Sequence, residues 1–385
     1  MTAFSTIEAA SVTISHDDAL RALTNASKAI DKKAEVEILY AAVVRSAPGG
    51  IAISATSLDL TSTTFIRCQA PKGFLAVFDC QTGLNLLKKA KKSDEVTFTM
   101  LEHGCQVSIG KLNVKLNEVA NRDEELPSIN DTEIRQLNQY FTIPSAQLLK
   151  IIEKVSFAIS TEESRYYLNG IYMCPTTDGE TSGMDFVATD GHRLSRFSIE
   201  LPEGAEGLEG VIIPLKAVKE LHRLLKRKEC PENVAIRATD DLVQFELDTE
   251  ETLLTKLVDG TFPDYSRVIP TKPAMTASAC PRAMADAIKQ VTSIAVEKGK
   301  AVKLTFAPGE LTFTLDEVSA GSAEMTIRSD NEIDFVIGVN PSYMLDMFGQ
   351  IEGHVEFGLI DEGSPMLIRD LANPEVTMVQ MPKRL

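Results

Sequence analysis

No apolar run in this 385-residue chain approaches the roughly 20 residues that a membrane-spanning helix requires. The longest candidates, Val211–Leu215 and Phe335–Val339, have the length of strands or core segments. Residues 1–15 (MTAFSTIEAASVTIS) carry no Lys or Arg and no sustained apolar stretch, so they do not read as a secretory signal. A cytoplasmic protein without a membrane partner is expected. The six cysteines (Cys68, Cys80, Cys105, Cys174, Cys230, Cys280) form no C-x-x-C pair. Scattered thiols in a long chain favour reduced, packed side chains over a disulfide framework or a zinc site. Catalytic spacings are missing as well. There is no G-x-x-x-x-G-K-[ST] phosphate cradle, no G-x-G-x-x-G, no G-x-S-x-G elbow, and no H-E-x-x-H among the five histidines. Neither catalytic residues nor a metal or cofactor are expected.

What is present is ordinary globular composition, 44% hydrophobic and 24% charged, in a chain long enough for two or three domains. The net charge of −16 argues by itself against nucleic acid, because phosphates need positive charge opposite them. A DNA-binding reading therefore needs a local basic face.

The chain repeats. Three stretches place apolar residues at helical spacing: Ser15–Ile30, Pro144–Ile159 and Pro281–Val296. In the second, Leu148, Ile151, Ile152 and Val155 fall on one face. Each is followed by alternating segments and a second helical stretch, at Thr82–Lys92, Pro214–Lys228 and Pro341–Ile351. Ile51–Ala55, Val96–Met100 and Leu311–Leu315 alternate as strands do, and Pro48-Gly49-Gly50 and Pro308-Gly309 mark turns. The spacing predicts an α+β fold of three modules, 1–139, 140–270 and 271–385, each with two helices on antiparallel strands. The acidic run Asn117–Asn130 reads as a long loop.

The second helices supply the basic face. Lys88, Lys89, Lys91 and Lys92 have no acid among them, and Lys216, Lys219, Arg223, Lys226, Arg227 and Lys228 face Glu220 alone. One such helix is usually just a solvated face; two at equivalent places in a repeat point to phosphate. With no Trp, Tyr or Phe in either, stacking on single strands is not supported, and the expected contact is sequence-neutral and salt-sensitive. The third module departs, with Asp346 and no base in its second helix, so Arg282 and Lys289 of its first helix must contribute.

The middle module carries a resemblance. Val187–Arg196 (VATDGHRLSR) closely resembles the A-T-D-G-H-R-L signature of the bacterial DNA polymerase III beta subunit family, the sliding clamps. Arg165–Gly170 (RYYLNG), Leu257–Pro270 (LVDGTFPDYSRVIP) and the terminal Met381-Pro382-Lys383-Arg384-Leu385 are similar to that family's segments in the same order. The resemblance implies a clamp fold, closed into a ring by a head-to-tail homodimer around double-stranded DNA. It also implies a pocket for peptides of the replicative polymerase, the clamp loader, other polymerases and repair proteins. The matching pocket positions are Leu168, Thr189, Gly191, His192, Arg193, Leu194, Pro263, Arg267, Val268, Met381, Pro382 and Leu385, with Arg193 and Arg267 as donors. DNA-facing positions are Lys33, Lys88, Lys89, Lys91, Lys92, Lys150, Lys154, Lys216, Lys219 and Arg223; Val107 and Ile294 are candidates for the dimer contact. Gln380, Lys383 and Ser266 depart from the family's usual residues and imply a more polar pocket rim; Glu37 and a longer loop around Lys111–Glu125 depart as well. A paralogue serving repair, resistance or a mobile element is the alternative. An enzyme using Asp190 and His192 as metal ligands is a more distant one.

Overall fold

A computed structural model describes residues 10–92, 94–119, 139–178, 181–248, 250–297 and 299–385. Most of the acidic run read as a loop, from residue 120 on, lies outside these residues. Among the described residues one order of strands and helices occurs three times. The first pass runs β1 (Ser11–Ser15), α1 (His16–Ala29), β2 (Ala41–Ala47), β3 (Gly50–Thr56), β4 (Leu60–Arg67), β5 (Leu75–Asp79), α2 (Cys80–Lys89), β6 (Glu95–Leu101), β7 (Gly104–Ile109) and β8 (Leu112–Leu116). The second comprises β9 (Gln139–Pro144), α3 (Ser145–Val155), β10 (Gly170–Asp178), β11 (Thr181–Thr189), β12 (Arg193–Glu200), β13 (Val211–Pro214), α4 (Leu215–Leu225), β14 (Asn233–Ala238), β15 (Leu242–Glu246) and β16 (Glu251–Lys256). The third comprises β17 (Met275–Ala279), α5 (Pro281–Val291), β18 (Val302–Ala307), β19 (Glu310–Glu317), β20 (Gly321–Arg328), β21 (Phe335–Val339), α6 (Pro341–Phe348), β22 (Val355–Leu359), β23 (Met366–Asp370) and β24 (Asn373–Gln380).

Local chemistry accounts for the helix starts. Ser15 Oγ accepts the Asp18 N–H at 3.1 Å and Asp79 Oδ1 accepts that of Thr82 at 2.6 Å, satisfying amides that have no intrahelical partner. Pro281 and Pro341 open α5 and α6, where a missing N–H costs nothing. Leu148, Ile151, Ile152 and Val155 of α3 are all buried, as their spacing predicts. The helices end earlier than the periodicity suggested. α2 stops at Lys89, so Lys91 and Lys92 follow it; α4 stops at Leu225, so Lys226, Arg227 and Lys228 lie past its last turn. Arg227 Nε there caps the Leu224 carbonyl at 3.1 Å, a favourable place for a cation.

The strands pair antiparallel throughout, and the chain forms two compact units. The described residues up to Ala146, with Lys219–Leu257, make one; Gln147–Val218 and Val258–Leu385 make the other. The first unit holds an eight-stranded sheet, β5-β2-β3-β4-β16-β15-β14-β9, and a four-stranded sheet, β1-β6-β7-β8. The second holds β13-β10-β11-β12-β24-β23-β22-β17 and β20-β19-β18-β21. Each eight-stranded sheet thus takes strands from two successive passes, joined at β4–β16 and at β12–β24. Phe78 stacks on Phe98 in the first core and Phe306 meets Phe357 edge-on in the second.

The joins carry buried charge. Beside β4–β16, the Glu251 carboxylate accepts hydrogen bonds from Arg21 (3.2 Å), Asn25 (3.2 Å) and Arg227 (2.9 Å), and Arg21 also reaches Glu250 at 3.2 Å. Arg223 donates to Glu220 and to Asn25, each at 2.6 Å. Beside β12–β24, Lys150 pairs with Glu375 at 2.6 Å and Lys154 with Glu352 at 2.8 Å.

Candidate functional site

The segment Ala188–Leu194 is a turn built by its own side chains. Thr189 Oγ1 donates to the Arg193 carbonyl at 2.6 Å and accepts the Gly191 N–H at 3.1 Å. Asp190 Oδ1 accepts the N–H groups of His192 and Arg193 at 2.9 and 3.0 Å. Gly191 sits at φ +86°, a left-handed conformation that favours glycine, and a Cβ there would meet only the mobile end of the Arg165 side chain. Asp190 is thereby spent on the turn and on Arg193 Nε at 3.0 Å. That leaves the Asp190–His192 metal reading without support; among the described residues no three His, Cys, Asp or Glu side chains gather as a metal would require.

This turn borders a cavity of about 200 Å³ within the second unit, lined by Leu168, Thr189, Gly191, Arg193, Leu194, Pro263, Asp264, Tyr265, Val268, Val379 and Met381. The walls rest on a core of Leu168, Val187, Leu194, Ile212, Phe262, Leu367 and Val379, with Tyr172 stacked on Phe262 at 4.7 Å. Eight of the twelve positions named from the sequence line the cavity. His192, Arg267, Pro382 and Leu385 do not. His192 is exposed and stacks on Tyr343 at 6.2 Å, while its carbonyl accepts the Met381 N–H at 2.9 Å and so holds the terminal strand to the turn. Asp264, Tyr265 and Val379 were missed. The first two stand inside the F-P-D-Y segment, and Val379 lies near the end of β24, two residues before Met381.

Tyr265 is fixed from behind: its hydroxyl donates to the buried Asp185 carboxylate at 2.8 Å. Burial first, then Cys174 and Asp185, push the Tyr265 hydroxyl well above its ordinary pKa; burial likewise raises the Cys174 thiol to about 11. Asp264 accepts from Ser266 Oγ at 2.6 Å and from Arg267 Nε at 2.8 Å, and these bonds, Ser266 foremost, hold its carboxyl below the usual range.

Several expectations need correction. Arg193 is not an open donor. Its guanidinium lies over Tyr343 (4.5 Å) and Phe157 (5.3 Å) and pairs with Asp190 and, at 2.6 Å, with Asp346. Gln380 does not make the rim polar: it is wholly buried, and its amide donates to the Asn340 carbonyl at 3.2 Å. Lys383 faces the other way, its N–H on the Gly338 carbonyl at 2.8 Å and its ammonium on the Gly299 carbonyl. Ser266 is tied to Asp264.

The cations expected to face DNA divide into two groups. Lys33, Lys88, Lys89, Lys91, Lys92, Lys216 and Lys219 are exposed, and so are Lys226, Lys228, Arg282 and Lys289. Lys150, Lys154 and Arg223 are engaged by Glu375, Glu352 and Glu220. Lys154 is the plainest departure, 6% exposed, because its ammonium turns inward to Glu352 and the Gln350 carbonyl. Of the two residues named for a dimer contact, Val107 is buried within a single chain and Ile294 half-buried. All six cysteines are free thiols, three of them buried, and no described helix is long and apolar enough to cross a membrane.

Comparison with known proteins agrees along the chain. The models of the DNA polymerase III beta subunit match here, the central domain over residues 142–264 and the C-terminal domain over residues 266–384. The beta sliding clamp of Caulobacter vibrioides is 32% identical over 97% of this chain and 100% of its own length. That of Rickettsia bellii is 30% identical over 95% and 97%. Among solved structures, the DnaN sliding clamp of Bartonella birtlesii, bound to griselimycin, superposes with a TM-score of 0.90 at 32% identity, covering 98% of this chain and 100% of that one. The polymerase III beta of Caulobacter crescentus gives 0.89 at 31%, covering 97% and 100%. With its fold, its turn and its relatives in agreement, this chain belongs to the DNA polymerase III beta subunit family, the beta sliding clamps.

Proposed function

We propose that the chain works as a DNA sliding clamp by topology rather than by grip: two copies close head to tail around a duplex, and a polymerase held on the ring stays with its template. The modules are 1–139, 140–270 and 271–385. The observation that carries this reading is the pattern of joins. Successive passes are sealed at β4–β16 and β12–β24, while β8 and β20, the strands that correspond to them, each have one neighbour among the described residues. Such open edges call for a partner strand. A second copy supplies both, and a head-to-tail contact whose rotation closes makes a ring.

The exposed lysines at and just past the end of α2 and along α4 supply sequence-neutral attraction to phosphate, weak enough to permit sliding. The acidic remainder discourages DNA elsewhere. The cavity around Leu168, Leu194, Val268 and Met381 takes apolar side chains of short peptides from the replicative polymerase, the clamp loader and repair proteins. Two or three buried anchors at roughly 1.5–3 kcal/mol each supply the apolar share of that docking, set against the cost of ordering the peptide. The chain itself performs no catalysis in this reading. Loaded on nicked circular DNA, it is expected to remain bound through a salt wash and to be lost when the circle is cut once. Equal retention on circular and linear DNA would overturn the proposal.

A further inference from the structure

The ladder registers make the three passes comparable residue by residue. Val114 opposite Val107, Leu253 opposite Phe245 and Met378 opposite Ile368 are equivalent positions of β8, β16 and β24. Lys111, Glu250 and Glu375 each stand three residues before them. On β1, β9 and β17, Ile14, Ile143 and Ala279 are equivalent through their pairing with Val96, Val234 and Val355, and Arg21, Lys150 and Asp286 each stand seven residues further on, in the helix that follows. At the two sealed joins these positions form an ion pair, Arg21–Glu250 at 3.2 Å and Lys150–Glu375 at 2.6 Å, with the cation on the helix. At the third set the signs are exchanged: the helix carries Asp286 and the strand end carries Lys111, both exposed.

The corresponding edges also differ in burial. β4 buries four residues and β12 three, whereas β20 buries none in the single chain. Ala323, opposite Leu315, is equivalent to Ser62 and Ser195, which pair with Leu253 and Met378. On β8, Leu112 is 48% exposed where Val376 of β24 is 1%.

Resting on the head-to-tail reading above, we infer that β20 of one copy pairs with β8 of a second in the register of the sealed joins, locked by an ion pair of reversed polarity. Ala323 then faces Val114 of the second copy, Met325 faces Leu112 as Phe197 faces Val376, and Asp286 reaches Lys111. The reversal gives this edge its selectivity. Were β8 to take the place of β16 or β24, Lys111 would confront Arg21 or Lys150. Were β20 to accept β16 or β24, Asp286 would confront Glu250 or Glu375. Like charges in either wrong pairing oppose it, so the chain directs the third join to another copy.

Charge exchange in the full-length protein tests this. Lys111→Glu and Asp286→Lys each place like charges at both joins of the ring, and each alone is expected to weaken the dimer about 3- to 30-fold at low salt, less as salt rises. Mixing the two single variants gives a heterodimer with one native join and one exchanged join, so dimerisation recovers to wild-type strength; the double variant in one chain recovers likewise. Sedimentation equilibrium reads the dissociation constants, and thermal melting verifies that each variant folds. A wild-type dimer whose single variants associate normally, or whose mixture gains nothing, overturns the register and its ion pair while leaving the dimer intact. A wild-type chain monomeric at micromolar concentration overturns the head-to-tail reading itself.

Discussion

Glu251 shows how much a single buried residue holds. Burial would raise its pKa, but Arg227 and Arg21, with the Asn25 amide, outweigh that cost and bring the carboxyl below its ordinary value. Its stabilising contribution is therefore complete above the unfolded-state pKa and is lost as pH falls through the lower folded-state value. Glu251→Ala leaves two guanidinium groups beside a vacated site, and breaking a buried pair on one side costs about 3 kcal/mol. Urea titration at neutral pH should show that loss, and the difference from wild type should shrink on acidification; a constant difference down to strongly acidic pH would refute the assignment. His16 is a quieter case. Its Nε2 meets the Leu87 carbonyl at 2.9 Å, tying α1 to the end of α2 in a wholly structural role.

At the level of elements, the pocket depends on a terminal strand that ends on someone else's turn. Met381 reaches its place because its N–H bonds the His192 carbonyl, and Lys383 continues the attachment at Gly338. Residues 381–385 lie past the last strand of the sheet, and they take no part in the edges formed by β8 and β20. Removing them is expected to weaken an apolar clamp-binding peptide at least about tenfold in a fluorescence titration, the loss of one buried anchor. The dimer should be unaffected. Unchanged peptide affinity would show that the cavity walls at Leu168, Leu194 and Val268 suffice alone.

For the whole molecule, enclosure and attraction can be separated. Changing Lys88, Lys89, Lys91 and Lys92 to Ala removes exposed cations without touching a join. Affinity for linear duplex at low salt should fall, and its salt slope should flatten by up to about 0.9 for each phosphate no longer neutralised. Retention on a nicked circle should persist, because leaving it requires opening the ring. Loss from both substrates in parallel would mean that charge, and not closure, holds the protein on DNA.

Periodicity and turn chemistry determined much of this protein by themselves. The threefold order of helices and strands, the buried face of α3 and the Thr189–Arg193 turn follow from spacing and side-chain type, because local hydrogen bonds and one-sided burial act over short stretches of chain. The family resemblance added most of the pocket wall. The sequence could not say which cations were committed. Lys88 and Lys154 look alike in a chain of letters, yet Lys88 meets solvent while Lys154 turns inward to Glu352, far along the chain. Nor could it show that Gln380 is buried, that Arg193 is held between two rings and two carboxylates, or that, among the described residues, β8 and β20 lack the second neighbour their counterparts have. Those outcomes depend on pairings between residues hundreds of positions apart, and electrostatic and packing energies are settled by distance in space.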